Sequence, residues 1–164
     1  MTGLRERLGR DGPLIGMWVV SGSAYVAEIC AGGGLDWLLV DCEHAPNDLT
    51  TVLPQLQAAA ASGTPVVVRP PSGDPVVIKQ LLDIGVQDLM VPMVESAAQA
   101  RDVVAAVEAA IATVVAAGTT VGVNAFAEPL ARRYLDLGAR LVLVGADVLL
   151  LARGSEELAA RYRS

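Results

Sequence analysis

Short, nearly continuous apolar runs alternate along the chain with longer helix-forming stretches, and this alternation limits the possible folds more than any other feature. Strands that are apolar along their whole length are typical of parallel sheets covered by helices. The predicted strands are Leu14–Val20, Trp37–Asp41, Pro65–Arg69, Asp88–Val94, Thr120–Asn124 and Arg140–Gly145. Glycines with the spacing of one strand–helix unit precede most of these runs, as expected for helix C-caps. The sequence therefore predicts an α/β fold built on a parallel sheet.

The stretches between the strands carry helix capping signals. A capping residue and a stop predict three helices, from Ser23 through Ala31, from Asp48 through Ser62 and from Asp74 to Gly85. Residues 96–117 contain neither Gly nor Pro and predict a helix about twice the usual length. No linker composition interrupts the chain, so residues 1–164 are predicted to form a single domain.

Composition excludes several classes of protein. With 53% hydrophobic and 18% charged residues, the chain is not of the disordered type. Its formal net charge of -6 argues against nucleic acid as a partner, because phosphate binding needs clustered cations. The apolar runs fall far short of the roughly 20 residues that a membrane span requires. Cys30 and Cys42 have neither metal nor disulfide spacing, so we expect free thiols and a cytoplasmic protein.

Chemically useful side chains stand where the predicted strands end, which is where parallel α/β proteins place their sites. His44 is the single histidine and follows the second strand, with Glu43 beside it, so it is a candidate for proton transfer. Arg69 ends the third strand, where its guanidinium could bind a carboxylate or stabilise an enolate. The alternatives are a loop histidine satisfied by local hydrogen bonds and an arginine in a structural ion pair with Asp41, Glu43 or Asp74.

Three more residues are candidates near these two. Asp41 and Glu43 have the same parity on the second strand, so they can face one way while Cys42 faces the other. They could orient His44 or hold metal-bound water, although their spacing alone does not define a metal site. Trp18 is expected to fill the core or to form a pocket wall. Cys42 is not expected to be a nucleophile, because neighbouring acids raise the pKa of a thiol.

These residues lie in segments that resemble the HpcH/HpaI family of metal-dependent pyruvate aldolases, and the likeness extends over nearly the whole chain in order. The most specific segment is Glu43-His44-Ala45-Pro46. The other segments are Trp18, Ser23–Glu28, Asp36–Asn47, Val67–Pro70, Asp74–Gly85, Val91–Glu95, Leu130–Gly138 and Val144–Arg153.

The resemblance implies a fold derived from the TIM barrel and a carbon–carbon lyase that makes or cleaves 4-hydroxy-2-oxo acids. It implies that His44 is the acid/base group, that Arg69 stabilises the transition state, and that Asp83 increases the basicity of the histidine. Trp18, Asp41 and Glu43 are then substrate-binding or supporting residues. It further implies a divalent cation (Mg²⁺, Mn²⁺ or Co²⁺), a 2-oxo acid and an aldehyde as small-molecule partners, and a homo-oligomer formed through the C-terminal helix.

The chain departs from this family in length. A complete eight-unit barrel takes typically ~250 residues, whereas this chain has 164 residues and six predicted strands. We therefore predict six of eight units, with a seam near residues 107–108 where the family's strands five and six are absent. The Glu and Asp that bind the metal in the family fall in that missing segment. An open, flavodoxin-like parallel sheet is the alternative fold, and an inactive homologue acting as an oligomerisation or regulatory partner is the alternative function.

Overall fold

One parallel sheet is the framework of the chain in its computed structural model, which describes residues 4–9, 12–90, 92, 116, 120 and 122–162. The elements are α1 (Leu4–Leu8), β1 (Leu14–Val19), α2 (Ala24–Ala31), β2 (Trp37–Asp41), α3 (Leu49–Ala60), β3 (Val66–Arg69), α4 (Pro75–Asp83), β4 (Asp88–Leu89), β5 (Gly122–Asn124), α5 (Glu128–Asp136), β6 (Leu141–Ala146) and α6 (Asp147–Tyr162).

The predicted strands and capped helices form where the sequence places them, to within a few residues at each end. Ser23, Asp48 and Asp74 are the N-caps of α2, α3 and α4, and each side chain accepts a backbone N–H of its own helix. The fourth strand is shorter than predicted, since β4 ends at Leu89. Except for residue 116, the predicted long helix over 96–117 lies outside the described residues, as does the seam near 107–108.

The strand order is that of a barrel built from consecutive units. The sheet runs β4-β3-β2-β1-β6-β5, and all neighbouring strands are parallel. The last strand therefore lies beside the first, as in a closed barrel, and β4 and β5 are the two edges of the described sheet. The sheet curls into a half-barrel. The predicted TIM-barrel-derived fold is thereby confirmed, in preference to the flavodoxin-like alternative with its order 2-1-3-4-5.

Alternate side chains divide the core into two layers. On the outer face of the sheet, Val19 and Val40 belong to the cluster that includes Val52 of α3 and residues of α2 and α4. On the inner face, Trp37, Leu39 and their neighbours form a second cluster with Leu4 of α1. Because the strands are buried on both faces, their sequences read as continuous apolar runs.

Helix α1 packs at the end of the sheet where the strands begin. The amide of Leu4 donates to Asp88 at the start of β4 (3.3 Å). The Arg7 guanidinium donates to the carbonyls of Asp36 and Gly63, which precede β2 and β3, at 3.1 and 3.0 Å. The polar residues predicted from the sequence lie at the opposite, carboxyl end of the strands.

The inner core requires a glycine in β1, and this gives a stability prediction. Gly16 pairs with Trp37 across the sheet, and a Cβ added to Gly16 would lie 2.4 Å from the Trp37 indole. The indole is 1% exposed, and its Nε1 donates to the carbonyl of Leu14 at 3.3 Å, so it has little freedom to shift. We expect Gly16→Ala to lower the free energy of unfolding by about 1–3 kcal/mol, measured by urea denaturation.

Gly145 in β6 is the matched control, because a Cβ there meets nothing within 4 Å. Gly145→Ala is expected to change the free energy of unfolding by less than about 0.5 kcal/mol. Equal effects of the two substitutions would contradict the packing described for Trp37.

Candidate active site

A carboxylate–guanidinium pair joins the ends of β2 and β3. Asp41 and Arg69 are the last residues of these strands and lie opposite each other in the sheet register. Arg69 donates from Nε to Asp41 Oδ1 (2.9 Å) and from Nη2 to Asp41 Oδ2 (2.8 Å). Two parallel hydrogen bonds of this kind fix the plane of the guanidinium as well as its position.

Two further side chains hold the guanidinium of Arg69. Its Nη1 lies 3.0 Å from Glu43 Oε2. The Trp18 ring stacks against it, with the guanidinium carbon 4.4 Å from the ring centroid. These contacts engage three of the five N–H donors of the arginine. The structural ion pair considered in the sequence analysis therefore forms with Asp41 and Glu43, whereas the third candidate, Asp74, caps α4.

Asp41 also fixes the turn after β2. Its Oδ1 accepts the backbone N–H groups of Glu43 (2.9 Å) and His44 (3.3 Å). Burial raises the pKa of this carboxyl, which is 3% exposed, but the hydrogen bonds from Arg69 and the two amides outweigh burial and lower it below its ordinary value. Asp41 is thus an ionised carboxylate that ties the guanidinium to the histidine loop.

His44 lies at the rim of this cluster. Its side chain is 73% exposed, and Nε2 lies 3.6 Å from Glu43 Oε2. The structure therefore brings together five of the six predicted site residues: Trp18, Asp41, Glu43, His44 and Arg69. The imidazole is open to solvent.

Asp83 does not join this group. It lies at the C-terminal end of α4, where it forms an exposed ion pair with Lys79 one helical turn earlier. Within the part of the chain that the structure describes, no contact links Asp83 to His44. Its predicted effect on the histidine stays a prediction.

Cys42 points away from the site. It packs against the outer apolar cluster, and its pKa is raised to about 11, first by burial and then by the charges of Asp41 and Asp48. Such a thiol stays protonated and is a poor nucleophile. The opposite orientation of Cys42 and its two acidic neighbours follows the parity read from the sequence.

A cavity of about 330 Å³ opens on the inner face of the sheet beside Arg69. Its polar edge consists of Arg69, Trp18 and Asn124, with Trp18 Nε1 donating to Asn124 Oδ1 at 3.3 Å. Its apolar wall includes Trp37, Met90, Leu141 and Leu143. A small anion with a short apolar part could bind here, with its charge on the guanidinium.

Comparison with known proteins identifies the family. The sequence profile of the HpcH/HpaI aldolase/citrate lyase family matches residues 14–120. A 4-hydroxy-2-oxo-heptane-1,7-dioate aldolase of Salmonella paratyphi C is 35% identical over 245 positions, which cover 96% of this chain and 93% of that protein. This chain belongs to the HpcH/HpaI aldolase/citrate lyase family.

Solved structures of HpcH/HpaI proteins have the same fold. One from Burkholderia cenocepacia superimposes with a TM-score of 0.89 at 26% identity and covers all of both chains. Another, an aldolase from Desulfitobacterium hafniense, has a TM-score of 0.78 at 17% identity and covers 100% of this chain and 98% of its own. The prediction of an HpcH/HpaI aldolase, a carbon–carbon lyase, is thus confirmed at the level of the family.

The HpcH/HpaI family is metal-dependent, but the described residues do not fit a metal ion by themselves. No group of three or more His, Cys, Asp or Glu residues converges among them. Asp41 and Glu43 are the acidic pair of the site, and both are engaged by Arg69. A metal ion bound by this chain would need ligands beyond these two.

No helix within the described ranges could cross a membrane.

Sequence reasoning missed two residues beneath the site, Asn47 and Gln55. Both are buried, and they join the loop after β2 to helix α3. Asn47 was visible as a polar residue of the loop, and Gln55 as a polar residue on an otherwise apolar helix face. Neither signal distinguishes a buried partner from a solvent-facing side chain.

Proposed function

We propose that the chain cleaves or forms the C3–C4 bond of 4-hydroxy-2-oxo acids, giving pyruvate and an aldehyde. In the cleavage direction the 4-hydroxyl group loses its proton, the C3–C4 bond breaks, and its electron pair remains on C3 as the enolate of pyruvate. Protonation of C3 completes the reaction. We also propose a cytoplasmic location, which the free thiols of Cys30 and Cys42 support.

The observation that carries this proposal is the position of Arg69 at the carboxyl end of the sheet. Its guanidinium is held by Asp41, Glu43 and Trp18 and borders the cavity with N–H donors to spare. A fixed cation at this place can hold the oxo-acid and stabilise the negative charge that develops on the enolate oxygen. Since its carboxylate partners are fixed as well, little reorganisation accompanies the reaction.

His44 is proposed as the group that removes and returns the proton. Its imidazole is exposed to solvent and lies beside Glu43, which also contacts Arg69. Asp83 is proposed to act on His44 from a neighbouring subunit, because its own helix end lies away from the carboxyl end of the strands. Both roles come from the family resemblance, and the exposure of the imidazole supports the first.

We propose further that two strand–helix units are missing between β4 and β5, with the seam near residues 107–108. Two observations support this. The described sheet has its edges at β4 and β5, and the alignment with the Salmonella aldolase spans 245 positions against 164 residues in this chain. The family's metal ligands would lie in that segment, so a cation such as Mg²⁺, Mn²⁺ or Co²⁺ would need other carboxylates, including those of a second subunit.

The experiment for the proposed function is a pyruvate-release assay on 4-hydroxy-2-oxo acids. It is run with EDTA and with added Mg²⁺, Mn²⁺ or Co²⁺, and several substrates are compared because the aldehyde partner is open. Release of pyruvate that depends on enzyme concentration supports the proposal. No release with any of the metals would overturn it.

A second candidate is a shortened, inactive homologue that associates with a full-length member of the family. The observation in its favour is the absence, among the described residues, of a cluster able to hold a metal. Light scattering of the chain mixed with a full-length aldolase tests this. A mixed complex together with no turnover would favour this candidate over the enzyme.

Helix α6 is proposed to mediate homo-oligomerisation. Its side chains Leu150, Leu151 and Leu158 are 58%, 56% and 55% exposed, and an apolar surface of this kind is costly in water. We expect Leu151→Glu combined with Leu158→Glu to convert the oligomer into monomers in light scattering, without loss of helical circular dichroism. Glu156→Lys, on the opposite side of the helix, is the control and should leave the oligomer intact. A wild-type monomer would contradict the proposal.

A further inference from the structure

We propose that Asn47 and Gln55 are positioning residues that hold the loop after β2, and so keep His44 and Glu43 in place around Arg69. This inference deepens the proposed function, because it concerns the same site. Neither residue touches the cavity. Both act through the backbone that carries the catalytic side chains.

Asn47 closes the loop onto the strand from which it starts. The residue is 8% exposed, and its Nδ2 donates to the carbonyl of Asp41 at 2.8 Å. Its Oδ1 accepts from Gln55 Nε2 (2.8 Å) and from Thr51 Oγ1 (3.3 Å). One amide side chain therefore joins the last residue of β2 to the first turns of α3.

Gln55 fixes the amide of Asn47 from inside the core. It is 0% exposed on α3, and its Nε2 also donates to the carbonyl of Thr51 at 2.9 Å. Its Oε1 is buried and has no hydrogen-bond partner within the described residues. A buried acceptor without a partner costs stability, so an apolar residue of similar size would suit the core at least as well. The benefit of glutamine at this position is therefore the hydrogen bond to Asn47.

The loop after β1 packs against the loop after β2. Gly22, which follows β1, adopts a φ of +69°, and a Cβ added there would lie 3.3 Å from the Pro46 carbonyl oxygen and 3.6 Å from Asn47 Oδ1. The buried carboxylate of Asp147 accepts the amides of Val20 (3.0 Å) and Ser21 (3.1 Å). The loops after β1 and β2 are thus packed as one unit, with Asn47 between them.

The consequence for the site follows from the position of His44, three residues before Asn47. The His44 amide donates to Asp41, but the imidazole is mostly exposed and has few packing contacts of its own. The position of the imidazole therefore depends on the conformation of the loop. When the loop loses its closure at Asn47, the imidazole samples more positions. A misplacement of about 1 Å in an active site can reduce the rate roughly 100-fold.

The test compares Gln55→Leu with Gln57→Leu, a matched change at an exposed glutamine of the same helix. The first readout is hydrogen exchange at the amides of Glu43 and His44, which donate to Asp41. We expect both amides to exchange at least ~10-fold faster in Gln55→Leu, since local opening of the loop becomes easier, while Ala59, buried near the C-terminal end of α3, keeps its rate. The Tm should move by less than about 4 °C.

The second readout is turnover. We expect kcat of Gln55→Leu to fall about 10- to 100-fold with a smaller change in KM, and Gln57→Leu to match the wild type. Asn47→Asp is the second variant: it keeps the shape and the acceptor for Gln55 but replaces the Nδ2 donor by an oxygen. It should raise the exchange rates of the same two amides, which keeps the proposal testable if Gln55→Leu does not fold.

Hydrogen exchange separates this inference from the proposed function, because it needs no turnover. Faster exchange of the Glu43 and His44 amides in the two variants, together with no turnover by the wild type, would support the positioning role and count against the aldolase. Unchanged exchange at both amides in Gln55→Leu and Asn47→Asp would overturn the positioning role, whatever the activity.

Discussion

Replacing Arg69 by methionine is expected to remove activity and to destabilise the fold together. Methionine keeps apolar contact with Trp18 but removes the cation that we propose for the oxo-acid and the enolate. Loss of one preorganised donor group of this kind typically reduces kcat by about 10²–10³. The Asp41 carboxylate, 3% exposed, also loses its partner, and breaking a buried pair in this way costs about 3–5 kcal/mol.

Arg132→Met is the matched control for Arg69→Met. Arg132 pairs with Glu128 on the surface of α5, and both side chains are 73% exposed. An exposed pair one helical turn apart contributes less than about 1 kcal/mol, so the control should lose little stability. Similar urea midpoints for the two variants would contradict the role assigned to the Asp41–Arg69 pair.

The stability difference caused by Arg69→Met should depend on pH in a defined direction. Hydrogen bonds from Arg69 and the loop amides hold the pKa of Asp41 below its ordinary value. A carboxyl whose pKa is lower in the folded than in the unfolded state contributes stability above the unfolded value, near ~4, and loses it as the pH falls through the folded value. The difference in the free energy of unfolding between wild type and Arg69→Met should therefore be largest at pH 7 and become smaller below about pH 4.

His44→Gln is expected to share the large kinetic effect of Arg69→Met but to have almost no effect on stability. Positioned acid/base groups contribute about 10²–10⁴ to the rate, so kcat should fall by that range. The imidazole is 73% exposed, and its removal should change the free energy of unfolding by less than about 0.5 kcal/mol. Pyruvate release and urea denaturation, measured on the same preparation, check both parts.

Chemical modification gives an independent check of His44. The chain has a single histidine, so diethyl pyrocarbonate modifies one imidazole, and its exposure predicts rapid reaction. Activity should fall in step with the modification and return with hydroxylamine. Full activity in the modified protein would rule out His44 as the acid/base group.

The sequence alone predicted the sheet and most of the residues around Arg69. Parity on β2 placed Asp41 and Glu43 on one face, and adjacent parallel strands brought Arg69 beside Asp41. These are local rules with a period of two residues, so they can be read without coordinates. The relation of Trp18 to Arg69 was not readable, because it depends on how the curl of the sheet aims two side chains from strands that are not neighbours.

Long-range packing also explains the other residues that the sequence did not reveal. Gln55 lies on the buried face of α3 with Val52 and Ala59, and only its hydrogen bond to Asn47 shows its role. Gly16 is unfavourable in a strand by propensity alone, and its role is evident only because the Trp37 indole fills the space that a side chain at position 16 would occupy. In both cases the information lies in a neighbour more than seven residues away along the chain.

Pyruvate release from a 4-hydroxy-2-oxo acid by the wild-type chain, by Arg69→Met and by His44→Gln tests the proposed aldolase and its site together. All three are measured with EDTA and with Mg²⁺, Mn²⁺ or Co²⁺. We expect turnover by the wild type under at least one condition, with each variant at least ~100-fold slower. Turnover by the wild type that both variants retain would contradict the assigned site, and no turnover by the wild type under any condition would contradict the aldolase itself.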